Sequence, residues 1–138
     1  MIEKNNDNYK YSELSGQVIK AFYKVYNELG YGFLEKVYEN ALMIELRLIG
    51  LQCSQQCPID VYYVNQKVGY YFADVIVENK IIIELKAAEA ICQEHEAQLI
   101  NYLRATDIEI GLLLNFGKEP QLKRKAFANE HKSNHKLS

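Results

Sequence analysis

The chain has 138 residues, of which 25% are charged, and a formal net charge of −2 at pH 7. This length is typical of one domain with its own hydrophobic core, and the balance of charge excludes a protein held to nucleic acid or membranes by overall positive charge. No run approaches the roughly 20 apolar residues of a spanning helix, and the N-terminus does not resemble a signal peptide. The three cysteines, an odd number, favour a reducing compartment. We therefore expect one cytoplasmic domain over residues 1–138 that makes no membrane contact.

Two amphipathic helices are predicted in the first third of the chain. From Tyr11 to Leu29, apolar residues recur at spacings of three and four, and Gly30 is suited to end that helix. A second helix is predicted from about Leu34 to Ile49, with Gly50 at its end. The residues that repeat at helical spacing in this second segment are Leu34, Val37, Tyr38, Ala41, Leu42 and Glu45.

Three strands are predicted next. Residues 53–63 alternate in polarity, and Pro58 indicates the start of a strand or an exposed edge. A turn at residues 65–67 leads into a strand at 68–77, and a further strand covers 81–86. The last two are apolar on both faces, which is typical of central strands covered by helices. Ala73, Val75 and Val77 are expected to share one of those faces.

The remaining segments complete the fold class. A helix is predicted at residues 91–105, a buried strand at 109–116 and an edge strand at 122–127. Residues 1–10 and 128–138 are polar and are expected to be disordered tails. The order of elements predicts an α/β (α+β) fold in which helices cover a hairpin-rich sheet.

The central hairpin brings two acidic residues opposite each other. If the polar triplet 78–80 forms the loop, Val77 pairs with Ile81. Each step back along the first strand then pairs with one step forward along the second. On this register Asp74 lies directly opposite Glu84, with Cβ atoms roughly 5 Å apart.

Facing carboxylates suggest a metal site. Like charges at this separation destabilise each other unless a proton or a cation lies between them, and carboxylate oxygens are the ligands that Mg²⁺ prefers. Lys86 joins the same face, because side chains repeat every two residues along a strand. The flanking apolar residues would bury both acids partly, which is costly unless they are paired or bind metal. The alternatives are that one carboxylate points to solvent or that the register slips by one residue.

Three further residues have both a structural and a functional interpretation. Glu35 lies in the first turn of the second helix, where an acid is also favoured by the helix macrodipole. Gln98 and Tyr102 are four residues apart and share a helix face. From spacing alone, a core tyrosine beside a surface amide is the simpler interpretation of that pair.

Several motifs together carry a family resemblance. Gly32-Phe-Leu-Glu35-Lys-Val-Tyr38 has the pattern Gly-x-x-Glu-x-x-Tyr. Over residues 12–127 the chain resembles the GxxExxY protein family. That family is similar to the PD-(D/E)XK nuclease superfamily and its RecB-like nucleases. The other segments that carry the resemblance are Ala73-Asp74-Val75, Glu84-Leu85-Lys86, residues 98–106 and residues 111–117. Ala73 stands where the superfamily's proline would precede the aspartate.

This resemblance implies a restriction-endonuclease-like core with a central mixed sheet, and a metal-dependent nuclease. It implies that Mg²⁺ or Mn²⁺ is held by Asp74, Glu84, the Leu85 carbonyl and Glu35. Lys86 would be the catalytic lysine, and Gln98 and Tyr102 would match the auxiliary Gln-x-x-x-Tyr motif.

The expected partner is nucleic acid, with DNA favoured over RNA. A homodimer is a further expectation, because one small domain contacts only a short stretch of nucleic acid. The alternative is a non-catalytic module that retains the nuclease fold and binds nucleic acid or protein. We base that alternative on the small size and the acidic balance of the chain.

Overall fold

A computed structural model describes residues 10–133 of the chain. None of the helices in this range is both long enough and apolar enough to cross a bilayer. The elements are α1 (Ser12–Leu29), α2 (Glu35–Leu48), β1 (Cys53–Tyr63), β2 (Gln66–Val77), β3 (Ile81–Lys86), α3 (Gln93–Arg104), β4 (Ile110–Phe116) and β5 (Pro120–Ala126).

The five strands form one mixed sheet in the order β1-β2-β3-β4-β5. Neighbouring strands are antiparallel except β3 and β4, which are parallel and joined by the crossover helix α3. Residues 81–85 of β3 and all of β4 are buried, because helices cover both faces of the sheet centre. The predicted mixed sheet is confirmed, and β1 and β5 are its edges.

Each face of the sheet has its own hydrophobic core. On one face, α1 and α2 pack on the sheet around Phe22, Tyr38 and Phe116, and the rings of the last two stack with centroids 4.2 Å apart. On the other face, α3 packs Leu99 against Leu113. A residue at the centre of β3 or β4 therefore has no contact with solvent on either side.

The inward face of α2 differs from the predicted one. Leu34 is 80% exposed and Val37 is 40% exposed. The helix has two apolar stripes, one through Leu34 and Val37 and one through Tyr38. Because Tyr38 stacks on Phe116, the stripe that contains Tyr38 packs on the sheet. The buried residues of α2 are Tyr38, Glu39, Leu42, Met43 and Leu46.

The central hairpin has the predicted register. Val77 pairs with Ile81 and Val75 with Ile83. Glu78 and Asn79 occupy the left-handed region, with φ of 54° and 55°, which closes the loop at residues 78–80. The preceding turn is earlier than predicted, because β2 already begins at Gln66.

The tails predicted to be disordered are in part tied to the domain. Lys132 Nζ donates hydrogen bonds to the carbonyls of Thr106 at 2.8 Å and Ile108 at 2.7 Å, and Ala128 is buried. Lys10 Nζ lies 2.6 Å from Glu109 Oε1. Residue 10 and residues 128–133 therefore contact the folded domain, while residues 1–9 and 134–138 of the predicted tails lie outside the described range.

The segment after Lys86 is fixed against the end of β4. Asn115 Oδ1 accepts from Ala88 N at 2.9 Å, and its Nδ2 donates to the Ala88 carbonyl at 3.0 Å. A Cβ added at Gly117 would lie 2.5 Å from that same carbonyl oxygen. Gly117 therefore allows the close approach of two backbone segments.

We expect Gly117→Ala to lower the free energy of unfolding by about 1 to 3 kcal/mol, because a backbone carbonyl would have to move. The matched control is Gly16→Ala in α1, where an added Cβ meets nothing within 4 Å. That change should raise stability by up to about 1 kcal/mol through helix propensity. Urea denaturation of both variants measures the difference, and a Gly117→Ala protein as stable as wild type would contradict the close approach.

Candidate active site

The candidate site lies where β2 separates from β3. The ladder ends at the pair Val75 and Ile83. Beyond it, Asp74 N donates to Glu84 Oε2 at 2.9 Å, and Leu85 N donates to Asp74 Oδ2 at 2.9 Å. Side chain-to-backbone bonds therefore replace the ladder, and the structure brings the two acids together as the register predicted.

Burial and mutual repulsion change the ionisation of both acids. Glu84 is 3% exposed. Burial and then the charge of Asp74 raise the pKa of Glu84 to about 8. Burial also raises the pKa of Asp74, against the opposing effect of the hydrogen bond from Leu85 N. The pair thus holds a proton near neutral pH unless a cation takes its place.

Lys86 is joined to helix α3 by one hydrogen bond, and a second bond within the helix extends the link. Its Nζ donates to Gln98 Oε1 at 3.2 Å, and Gln98 Nε2 donates to Tyr102 Oη at 3.1 Å. Tyr102 is buried, and burial followed by the charges of Glu84 and Asp74 raises the pKa of its hydroxyl to about 12. Gln98 is therefore a bonded link between the lysine and the tyrosine, in contrast to the surface amide that spacing alone favoured.

Helix α2 contributes two acids on the opposite side of the site. Glu35 is exposed in its first turn, and its charge raises the pKa of both Asp74 and Glu84. Glu39, one turn later, is buried and raises the pKa of Asp74 more than Glu35 does. The sequence interpretation missed Glu39, although its spacing from Glu35 places both on one helix face.

Gln56 joins Glu39 to Asp74 and was also missed. Its Nε2 lies 3.0 Å from Glu39 Oε1 and 3.3 Å from Asp74 Oδ1. Gln56 has φ of 51°, a conformation that costs a residue with a side chain on the order of 1–3 kcal/mol and that clusters at functional sites. No local pattern in the sequence marks this residue.

The backbone of β2 is irregular at Asp74. Ala73 packs in the core on the α3 side, whereas Val75 and Val77 pack in the core under α1 and α2. The prediction that these three residues share one face is therefore wrong for Ala73. Gln56 lies opposite Asp74 between two regular stretches of the β1–β2 ladder, which places the distortion at this pair.

Tyr38 of the Gly-x-x-Glu-x-x-Tyr motif supports the fold. Its hydroxyl donates to the Gly30 carbonyl at 2.7 Å and accepts from Phe33 N at 3.1 Å. These bonds fix the loop between the first two helices and hence the start of α2, where Glu35 lies. Tyr38 thus positions the acid of its own motif.

The side chains at this site offer few ligands for a divalent cation. No cluster of three or more His, Cys, Asp or Glu side chains suited to a metal occurs between residues 10 and 133. Two carboxylates do converge, and the N–H of Leu85 points towards β2, so its carbonyl faces the same side. Mg²⁺ is commonly bound through one or two carboxylates and keeps several waters, so this smaller set fits.

Comparison with known proteins identifies the family. The model of the PD-(D/E)XK nuclease superfamily matches residues 12–126, most of the chain. The chain belongs to the PD-(D/E)XK nuclease superfamily. This result confirms the resemblance to that superfamily and the restriction-endonuclease-like α+β fold.

The crystal structure of SSO0001 has a similar fold, with a TM-score of 0.54 and 19% sequence identity. The match covers 88% of this chain and 61% of that one, so the present chain spans less than two thirds of SSO0001. At this identity the likeness concerns the fold alone. No match was found among curated proteins.

We expect the metal-free protein to lose stability with rising pH. Between the ordinary glutamate pKa of 4.5 and the folded-state value of about 8, folded Glu84 keeps a proton that the unfolded chain has released. The free energy of unfolding therefore falls as pH rises through this window, and the raised pKa of Asp74 acts in the same direction.

Urea denaturation in EDTA across that pH window measures this slope. Glu84→Gln should reduce it, since a glutamine oxygen still accepts from Asp74 N but does not titrate. The control Glu13→Gln, at an exposed position in α1, should leave the slope unchanged. An equal slope in wild type and Glu84→Gln would show that Glu84 is ionised in the folded protein.

Proposed function

We propose that this chain is a metal-dependent nuclease that hydrolyses phosphodiester bonds in nucleic acid. The observation that carries this proposal is the convergence of Asp74, Glu84 and Lys86 where β2 leaves β3, in a member of a nuclease superfamily. Membership supports nuclease-type chemistry, and the paired acids supply a reason for a cation.

We assign the cation, Mg²⁺ or Mn²⁺, to Asp74, Glu84 and the Leu85 carbonyl. When bound, it would lower the pKa of a coordinated water and offset the charge that builds up on the phosphate. Each carboxylate accepts a backbone N–H on one oxygen, which leaves its second oxygen able to accept a further partner, and Asp74 Oδ1 would share that capacity with Gln56 Nε2 at 3.3 Å. Glu35 is exposed beside them and would bind through a water or complete the shell.

Lys86 is assigned the role of orienting the attacking water and stabilising negative charge. Its ammonium is held by Gln98, which limits the directions in which it can point. Tyr102 in turn holds Gln98 and, with its pKa of about 12, remains a neutral hydroxyl at physiological pH. Gln98 and Tyr102 would therefore act as positioning residues for Lys86.

We expect Lys86→Ala to lower metal-dependent cleavage by about 10²- to 10³-fold, the usual effect of removing one group that stabilises developing negative charge. Asp74→Asn and chelation by EDTA should also abolish cleavage. The control is Lys20→Ala, an exposed lysine of α1. Assays of single- and double-stranded DNA and RNA with Mg²⁺ or Mn²⁺ measure the effect, and undiminished activity in Lys86→Ala would refute the assignment.

A non-catalytic module that keeps the fold is the second candidate. It is favoured by one observation: Glu84, with a pKa of about 8, can satisfy the site with a proton alone. Calorimetric titration with Mn²⁺ distinguishes the two candidates. The nuclease is expected to bind Mn²⁺ in wild type and to lose binding in Asp74→Asn, whereas wild type without binding would favour the module.

The substrate class is nucleic acid, and DNA is the first choice over RNA. We also propose a cytoplasmic location, which is supported by the three cysteines, none of which is in a disulfide.

We further propose a homodimer through the outer face of α2. Leu34 and Leu48 are 80% and 72% exposed, and the stripe between them follows the alternating spacing of three and four residues that pairs helices. An aliphatic stripe of this kind suits a second copy of itself, since two-fold contacts bring the same patch together from both subunits. The residues of the stripe are Leu34, Val37, Ala41, Ile44 and Leu48.

Ile44→Glu should convert the dimer to a monomer, because it places a charge in the middle of the stripe. Size-exclusion chromatography with light scattering measures the mass of both forms. Gln17→Glu, at an exposed position of α1, is the matched control and should remain dimeric. A wild-type protein that is monomeric at high concentration would exclude this interface.

A further inference from the structure

A groove of about 530 Å³ lies between α3 and the β1–β2 hairpin. Its volume is that of a typical small-molecule or nucleotide site. Tyr71 and Tyr102 form one wall, with ring centroids 5.7 Å apart, and Val61 lies on the hairpin side. The groove combines the motif residues Gln98 and Tyr102 with residues outside the motifs, such as Tyr71 and Val61.

Small residues keep the groove open. Ala97 and Ala105 line it from α3. Gly69 pairs with Val61 and lies two residues from Tyr71, on the same face of β2. A Cβ at Gly69 would meet nothing within 4 Å, so this side of the hairpin leaves open space next to the tyrosine ring.

The lining suits a flat aromatic ligand with polar edges. The Tyr71 ring is 53% exposed and can stack on a base. Asn101 presents an amide group that can hydrogen-bond to a base edge, and Arg104 adds positive charge to the lining. Glu94 also lines the groove and disfavours a phosphate beside it, so the base is the part of a nucleotide that suits this lining best.

The groove and the candidate active site share two residues. Gln98 and Tyr102 line the groove and also form the hydrogen-bonded link to Lys86. A base stacked on Tyr71 would therefore lie near Tyr102, whose hydroxyl is close enough to Glu84 and Asp74 for their charges to raise its pKa. We propose that this groove binds an unpaired base, so that the substrate is single-stranded nucleic acid. In a duplex, both faces of each base are covered by neighbours, and no base can stack on Tyr71 unless it leaves the helix.

This inference rests on the proposed function, and the chain offers a matched control for it. Tyr70 and Tyr71 are adjacent in β2 and similarly exposed, at 58% and 53%, but alternation places them on opposite faces. Tyr70 packs edge-on against Phe72, under Lys67, and is not part of the groove.

The experiment measures binding without cleavage. Fluorescence anisotropy of labelled single-stranded and duplex oligonucleotides of one sequence is recorded in EDTA at low salt, with wild type, Tyr71→Ala, Tyr71→Phe and Tyr70→Ala. Wild type should bind the single strand more tightly than the duplex. Tyr71→Ala should weaken single-strand binding by about 5- to 150-fold, the range for losing one stacked base, while Tyr71→Phe and Tyr70→Ala stay close to wild type. A second variant, Ala97→Leu, should weaken binding by filling the groove.

Three results would overturn the inference: equal affinity for single strand and duplex, equal loss in Tyr70→Ala and Tyr71→Ala, or no binding of either oligonucleotide by wild type. Thermal unfolding of each variant shows whether it is folded.

The experiment also distinguishes failure of this inference from failure of the nuclease proposal. Single-strand binding that depends on Tyr71 without metal-dependent cleavage would refute only the nuclease, and duplex cleavage unaffected by Tyr71→Ala would refute only the groove.

Discussion

Two carboxylates that face each other across a hairpin are the constraint around which this structure is arranged. Asp74 and Glu84 lie where β2 departs from β3, and each accepts a backbone N–H from the opposite strand. Those bonds hold the strand ends apart at a defined distance and fix the direction of both side chains. Burial makes two negative charges at this point unfavourable, so the site requires a proton or a cation.

The two layers of helices act on this pair from opposite sides. From the α2 side, Glu39 and Gln56 add negative charge and a bridging amide next to Asp74. From the α3 side, Gln98 fixes Lys86, the cation that opposes the charge of Glu84. Helices α2 and α3 lie on opposite faces of the same sheet. Where β2 separates from β3, residues from both sides can therefore approach Asp74 and Glu84. This arrangement gives the site an acidic wall and a basic wall.

The hairpin could be predicted from the sequence because a polar triplet between two apolar runs favours the register in which Val77 pairs with Ile81. The burial of β3 and β4 followed from their apolar runs at residues 81–83 and 112–114. The inward face of α2 could not be predicted, since the helix has two apolar stripes and only the stacking of Tyr38 on Phe116 decides between them. The same is true of the tail, because the bonds of Lys132 depend on carbonyls more than twenty residues away in sequence.

The left-handed backbone at Gln56 affects the exposed edge of the sheet as well as the candidate active site. β1 is an edge strand of 11 residues, long enough to recruit a strand from another molecule. Three features interrupt the row of backbone hydrogen-bonding groups along β1. They are the left-handed backbone of Gln56, the missing N–H of Pro58 and the register shift after Val61. The irregularity that brings an amide to Asp74 thus also protects the protein against edge-to-edge aggregation, and directs any partner towards side chains instead of the exposed backbone.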